Sequence, residues 1–262
     1  MPKMPKTDQD NKALPDTTHL NDKEAYVQAM FNGIARYYDA MNLVMTGGQL
    51  KLWHRKLRGL TGLEPGQCGL DVACGTGDLA LLMAGQVGTG GSVVGLDFAP
   101  EMLRVANHRV EAAGVAGVVE LVEGNAMDLP FSDNSFDCAT TGFALRNVAD
   151  IPRTLQEMTR VVKPGGTVIS LEVSKPESAV WRRLFFFYFY RVVPVLGTLV
   201  HRAAVADSNL PPYTYLPHSL TQFPERSELA NMFEAAGLTA VKIYPFLGGV
   251  AAIHRGVKRD LH

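Results

Sequence analysis

An aspartate and a pair of glycines carry the first chemical signal of this chain, in Gly69-Leu-Asp-Val-Ala-Cys-Gly-Thr-Gly-Asp78. Leu70, Val72 and Ala73 make a short apolar strand, and Gly75 and Gly77 let the backbone turn tightly and approach a ligand. Helical character resumes at Leu79, so the turn opens a helix whose free N–H groups face that ligand. Asp71 separates this loop from a phosphate cradle. A carboxylate at a strand end, beside a helix start, suits a ligand carrying positive charge, such as an ammonium or a sulfonium.

The same residues also satisfy a dinucleotide fingerprint, Gly75-x-Gly77-x-x-Ala80, with Asp97 placed to hold a ribose. The strands downstream of the loop tip the balance. Ser92-Val-Val-Gly-Leu-Asp97 is a second strand ending in an acid that would take the ribose hydroxyls of an adenosine. Val118-Val-Glu-Leu-Val122 is a third, and the turn Gly124-Asn125-Ala126-Met127-Asp128 after it would frame an adenine with backbone groups and the Met127 side chain. Phe136-Asp-Cys-Ala-Thr-Thr-Gly142 is a fourth, and Gly166-Thr-Val-Ile-Ser-Leu-Glu172 a fifth. Strands alternating with helical segments predict an α/β fold with a doubly wound parallel sheet, its ligands gathered at the carboxyl ends of the strands.

These blocks, together with Phe31-Asn-Gly-Ile-Ala-Arg-Tyr-Tyr-Asp39, Leu129-Pro-Phe-Ser-Asp-Asn134, Leu145-Arg-Asn-Val-Ala-Asp150, Arg160-Val-Val-Lys-Pro-Gly-Gly166, Tyr213-x-Tyr-Leu216 and His254-Arg-Gly-Val-Lys258, carry a resemblance. The chain resembles class I S-adenosylmethionine-dependent methyltransferases, and more narrowly the quinone-biosynthesis C-methyltransferases. The resemblance implies a seven-stranded, mostly parallel, Rossmann-like sheet whose final strand is antiparallel, a helical cover and a lid after the fifth strand. It implies S-adenosylmethionine as cofactor, held by Tyr38, Asp71, Gly75, Thr76, Gly77, Asp97, Asn125, Ala126 and Gly142. The partner it implies is a prenylated quinol, demethylmenaquinol first and a ubiquinol precursor second. Ala73 stands where relatives often have glycine, Gly142 where some have serine, and His54 where arginine is usual.

Methyl transfer from a sulfonium demands most of the acceptor, which must be nucleophilic and in line with the breaking bond. A quinol ring carbon gains electron density when its neighbouring hydroxyl ionises, so the site needs a base or a cation, and dryness. The resemblance assigns the cation to Arg146, which would stabilise a developing phenolate. A helix-capping ion pair with Asp150 is the plainer use of Arg146. Asn147 either binds a quinol oxygen or caps the next helix. Asp39 is a candidate base that would close over the cofactor with Tyr38, or else a solvated helix-end acid beside a packed tyrosine. His54, His201 and His218 are isolated alternatives, and His254 reads as structural.

At 262 residues and 47% hydrophobic, the chain supports one sizeable core. A net charge of −1 gives no electrostatic case for nucleic acid. Cys68, Cys74 and Cys138 have neither a paired framework nor metal-ligand spacing, which predicts a reduced, cytoplasmic setting and no metal. Cys74 reads as a small residue in a crowded loop, not a nucleophile. Residues 1–24 are polar, broken by Pro2, Pro5 and Pro15, and read as a disordered tail that is neither signal peptide nor anchor.

One methyltransferase domain is then expected over 25–262: a helical cover over 25–60, a cofactor core over 66–174, an acceptor lid over 175–224, and a helix with two strands over 225–262. The lid holds Leu184-Phe-Phe-Phe-Tyr-Phe-Tyr190 flanked by Arg182, Arg183 and Arg191, too short to span a membrane but suited to its surface, at the inner face. Packing against the core or in a homodimer is the alternative. Other classes compatible with the fingerprint are an NAD-binding oxidoreductase, for which no Tyr-x-x-x-Lys accompanies it, a non-catalytic cofactor-binding protein, and a methyltransferase for another small lipophilic acceptor.

Overall fold

A computed structural model describes residues 20–192, 219–220 and 222–260. Expectations about residues 1–19, the middle of the lid, His201, His218 and the 213–216 block fall outside the described residues.

The apolar runs become β1 (Cys68–Val72), β2 (Ser92–Asp97), β3 (Val119–Glu123), β4 (Phe136–Gly142) and β5 (Val162–Val173), with β6 (Leu238–Phe246) and β7 (Ala251–Lys258) closing the sheet. Their order is β3-β2-β1-β4-β5-β7-β6. Pairings from β3 through β5 are parallel, and β7 runs antiparallel to both β5 and β6. The expected α/β sheet with one antiparallel strand is therefore present. β5 starts earlier than Gly166 because Val162 already pairs with Phe136 ahead of a bulge.

Helices α1 (Leu20–Ile34), α2 (Tyr38–Met45) and α3 (Leu50–Arg58) form the cover, α4 (Asp78–Val87), α5 (Pro100–Ala112) and α6 (Ile151–Val161) flank the sheet, and α7 (Ala179–Phe187) and α8 (Arg226–Ala235) follow it. Asp150 caps α6 by accepting from the Arg153 amide at 2.9 Å. α1 begins at Leu20, inside the segment expected as a tail. Val27 and Met30 bury beside Phe98, and Lys23 donates to the Val148 carbonyl at 2.7 Å, which fixes this helix over the strand ends.

Strand alternation divides the core into two faces. Leu70, Val72 and Leu96 pack with Leu155, Met158 and Phe233, under α6 and α8. Val93, Ile169 and Leu171 pack with Met83, Trp53 and Leu57, under α4 and α3. Asp71, between Leu70 and Val72, must therefore point toward α4. That parity places the carboxylate of the glycine motif at the start of the helix it precedes.

Candidate active site

Asp71 Oδ2 accepts from the Ala80 amide at 3.0 Å and Oδ1 from the Thr140 hydroxyl at 2.9 Å. Gly77, in the left-handed region at φ +84, begins α4 without a side-chain cap, so Asp71 serves as its cap from the neighbouring strand. Burial pushes the Asp71 carboxyl up to about 8, against the pull of those two donors. A cation beside it would lower that value. Asp97 ends β2 and accepts from the Gly75 amide at 2.7 Å and the Ala99 amide at 2.9 Å. Burial raises it to about 6. Ala73, just past β1, sits at φ +54, where glycine is unstrained.

The cover is latched to this loop. Thr76 donates to Asp39 Oδ1 at 2.7 Å, and Arg109 of α5 reaches Thr76 Oγ1 at 3.0 Å, Asp78 at 2.5 Å and Asp39 at 3.2 Å. Asp39 is half exposed and borders none of the three cavities of the site. Of the two uses expected of Asp39, a base or a solvated helix-end acid, its geometry favours the solvent edge, because α2 carries its carboxylate outward to Thr76 and Arg109.

Those three cavities meet at Phe143. The largest, with about 630 Å³ of free space, is lined by Asp97, Gly124, Asn125, Ala126, Phe98 and Asn147, among others. A second, of about 410 Å³, holds Asp71, Thr76, Asp78, His54 and Asn42. Tyr38, Gly75 and Gly142 line both. A third, of about 400 Å³, lies between α2, α3 and α7 and holds Arg146. Among the described residues Phe143 alone borders all three, and it sits at φ +57, a strained conformation for an aromatic residue.

The geometry gathers eight of the nine expected cofactor residues around the first two cavities. The exception is Gly77, whose place is in the helix start, with α5 close by: a Cβ there would lie 3.3 Å from Ala106 Cβ. Met127 is not among the residues lining the first cavity; its amide donates to Asn125 Oδ1 at 2.9 Å in an Asx turn beside Gly124 and Ala126, which do line it.

Arg146 and Asn147 part company. Arg146 enters the third cavity and donates to the Ser219 hydroxyl at 3.1 Å, while the Asp150 carboxylate is engaged with Arg153. Asn147 faces the first cavity. Its amide donates to the Phe143 carbonyl at 3.0 Å, and its Oδ1 is buried without a partner among the described residues. Asn147 therefore faces a different cavity from Arg146, and the cap of α6 is Asp150. Glu172, at the end of β5, holds the turn between them by accepting from the Ala144 and Leu145 amides at 2.9 and 2.8 Å. Burial raises its carboxyl to about 7, while those amides and Arg146 pull it down.

Asn42, Arg109, Phe143 and Glu172 join the site without a place among the residues expected from sequence. Glu172 alone carries a signal, an acid at the carboxyl end of a strand. Cys74 is buried and its thiol is pushed well up by burial, which removes the nucleophile reading. His254 is structural: it meets the Arg226 carbonyl at 3.0 Å and stacks near Phe233, with burial depressing it to about 4. His54 lines the second cavity, and burial lowers it too. Among the described residues no His, Cys, Asp and Glu grouping could hold a metal, and no helix is long and apolar enough to cross a membrane.

An acid for the ribose, a glycine loop under a helix start, and an unpartnered Asn147 oxygen in the same cleft fit S-adenosylmethionine. With the strand order, they define a class I S-adenosylmethionine-dependent methyltransferase. The same fold recurs in a SAM-dependent methyltransferase from Thermotoga maritima, 21% identical, with a TM-score of 0.60 over 89% of this chain and 100% of that one. Residues 19–258 match the ubiE/COQ5 methyltransferase family, to which the chain belongs. It is 47% identical to a demethylmenaquinone methyltransferase of Symbiobacterium thermophilum, over 91% of this chain and 94% of that protein. It is 46% identical to one of Bacillus cereus, over 91% and 98%. The dinucleotide and non-catalytic readings give way to a C-methyltransferase that uses S-adenosylmethionine.

Proposed function

We infer that the protein methylates a ring carbon of demethylmenaquinol in menaquinone biosynthesis. The observation that carries this reading is the 46–47% identity, along nearly the whole of both chains, to proteins bearing that activity in their names. When bound, S-adenosylmethionine supplies an electrophilic methyl on a cationic sulfur. Asp97 would hold the ribose hydroxyls, Asn125, Ala126 and Asn147 would surround the adenine, and Asp71 would serve the positive end from the second cavity. Tyr38 and the cover above it exclude water. Arg146 steadies the negative charge that grows on the quinol oxygen as the neighbouring carbon attacks. That carbon gains the methyl and gives up its ring proton, so one proton leaves with each turnover.

The exposed side of α7 is our proposed contact with the membrane's inner face, where a prenyl tail resides. Val180, Leu184 and Phe187 stand out at helical spacing with Arg183 beside them. Burial of that side in a homodimer is the competing association. The activity is tested by incubating the purified protein with methyl-labelled cofactor and either a reduced prenyl naphthoquinol or the corresponding benzoquinol precursor. Methylated naphthoquinol is the expected product. Label appearing only in the benzoquinol would move the protein to the ubiquinone branch, and label in neither would remove the quinol reading.

A further inference from the structure

The third cavity differs from the other two in charge. Asp97 borders the first, and Asp71 and Asp78 border the second, so an oxygen gaining negative charge would be repelled in either. Among the described residues no carboxylate lines the third, and Arg146, which acts on the buried Glu172 behind it, is the charged side chain in it. Its walls are otherwise largely apolar, built by Met45, Trp53, Phe143 and Phe185 with two valines.

Two donors in these walls are unmatched. Trp53 is 1% exposed, and its Nε1–H has no partner among the described residues. The Nε–H of Arg146 is likewise buried without one. Buried N–H groups are almost always satisfied, so two on residues lining one cavity mark where an acceptor oxygen belongs. The cavity also opens on the right neighbour. It shares Asn42 and Phe143 with the second cavity, and through Phe143 it meets the first. A ring seated here would lie against Phe143, next to both cavities that would hold the cofactor.

We propose that this cavity seats the aromatic ring of the acceptor quinol, and that the Trp53 indole N–H donates to a ring oxygen alongside Arg146. The proposal rests on the quinol reading of the function. It makes Trp53 a substrate-contacting residue on α3, with its ring packed at 6.3 Å from Phe143 and 5.8 Å from Phe246 and thereby held in place. Its donor strengthens as the oxygen becomes more anionic, so its effect falls on turnover as well as on binding.

Two variants and one binding measurement test this. Trp53→Phe keeps an aromatic ring and removes the N–H; kcat/KM for a short-chain prenyl naphthoquinol is expected to fall about tenfold, with S-adenosylhomocysteine affinity within about twofold of wild type. Met45→Trp fills the cavity and is expected to lower kcat/KM at least as far, again sparing S-adenosylhomocysteine. With Trp181→Phe, Trp53 is the sole tryptophan of the chain, and its fluorescence should be quenched saturably by the oxidised short-chain prenyl naphthoquinone without cofactor. Should Trp53→Phe fold poorly, Met45→Trp and the quenching decide. Either variant, properly folded, turning over the quinol within about twofold of wild type overturns the proposal, as does absence of quenching. Wild-type protein that binds S-adenosylhomocysteine but methylates no quinol would instead remove the functional reading itself.

Discussion

The Thr76 hydroxyl donates to Asp39 Oδ1 at 2.7 Å, tying the helical cover to the glycine loop across the rim of the cofactor cleft. Arg109 braces both partners from α5. The arrangement makes Asp39 a latch. Asp39→Asn should raise the cofactor Kd by roughly three- to tenfold, the scale of about 1 kcal/mol expected of a partly exposed charged contact. Its kcat at saturating cofactor should stay near wild type. A general base would cost on the order of a hundred- to ten-thousandfold in kcat, and a loss of that size would restore the catalytic reading of Asp39.

Backbone strain at the loop makes a paired prediction. Ala73 holds φ +54 without a glycine, at a cost of about 1–2 kcal/mol, and glycine there brings back roughly 0.5–1 kcal/mol of chain entropy loss. Ala73→Gly should therefore be neutral or slightly stabilising in thermal melts. Gly77→Ala should do the opposite, since φ is +84 and the new methyl would sit 3.3 Å from Ala106 Cβ. A loss of about 1–2 kcal/mol is expected, and equal melting temperatures for Gly77→Ala and wild type would contradict this account.

The contrast between these two residues shows what can be read from the chain. A strand, a glycine turn and a helix follow one another locally, so Asp71, Gly75 and Asp97 are legible from spacing alone. The junction at Phe143 is not. It brings together residues from α2, α3, β5 and α7 whose meeting depends on sheet order and on a left-handed residue that no pattern signals. Adjacent residues in a turn also need not share a direction, which is why Arg146 and Asn147 are joined in sequence and separated in space. Spacing misleads at Asp39 for a similar reason, because its partners Thr76 and Arg109 lie far along the chain. Polar composition hides the start of α1, since its anchoring contacts to Phe98 and Val148 are tertiary.

Three buried carboxyls make the unliganded protein sensitive to pH. Asp71, Glu172 and Asp97 are raised to about 8, 7 and 6 from ordinary values of 3.8 for Asp and 4.5 for Glu. The folded state then binds more protons than the unfolded one in this window. Their contribution is fully present below about pH 4 and is lost as pH rises toward about 8. A cationic ligand favours the ionised carboxylates, so the melting shift given by S-adenosylmethionine should grow with pH across the window. Asp97→Asn should remove the slope contributed below about pH 6 and raise the cofactor Kd. A ligand-induced shift independent of pH would count against this assignment of the buried charges.

The exposed side of α7 is testable by flotation. Val180, Leu184 and Phe187 are 71%, 54% and 64% exposed, too open for core residues, while Phe185 is the one of the group that packs inward. Wild-type protein should float with vesicles containing anionic lipid, and Leu184→Glu with Phe187→Glu should stay behind while methylating a short-chain quinol normally. Absence of flotation, joined to a wild-type dimer that these variants dissociate in sedimentation, would assign the face to a second copy of the chain.

Arg146 and Asn147 supply the sharpest separation of roles, because a single peptide bond divides two different sites. Arg146 lies in the third cavity, held at Ser219, where our reading has it act on the acceptor and not on the cofactor. If its guanidinium stabilises charge that grows on the quinol oxygen, its worth is greatest in the transition state. Arg146→Lys keeps the charge but loses the planar donor set, so kcat should fall on the order of a hundred- to thousandfold, about 2.7–4 kcal/mol. S-adenosylhomocysteine affinity should not move. Asn147→Ala should behave in the reverse sense: the cofactor Kd rises as the buried amide is lost from the cleft, while turnover at saturating cofactor is largely kept. Calorimetric titration and steady-state rates on the two variants separate binding from turnover. Arg146→Lys with full turnover, or Asn147→Ala with unchanged cofactor affinity, would show that the turn between β4 and α6 does not divide acceptor from cofactor.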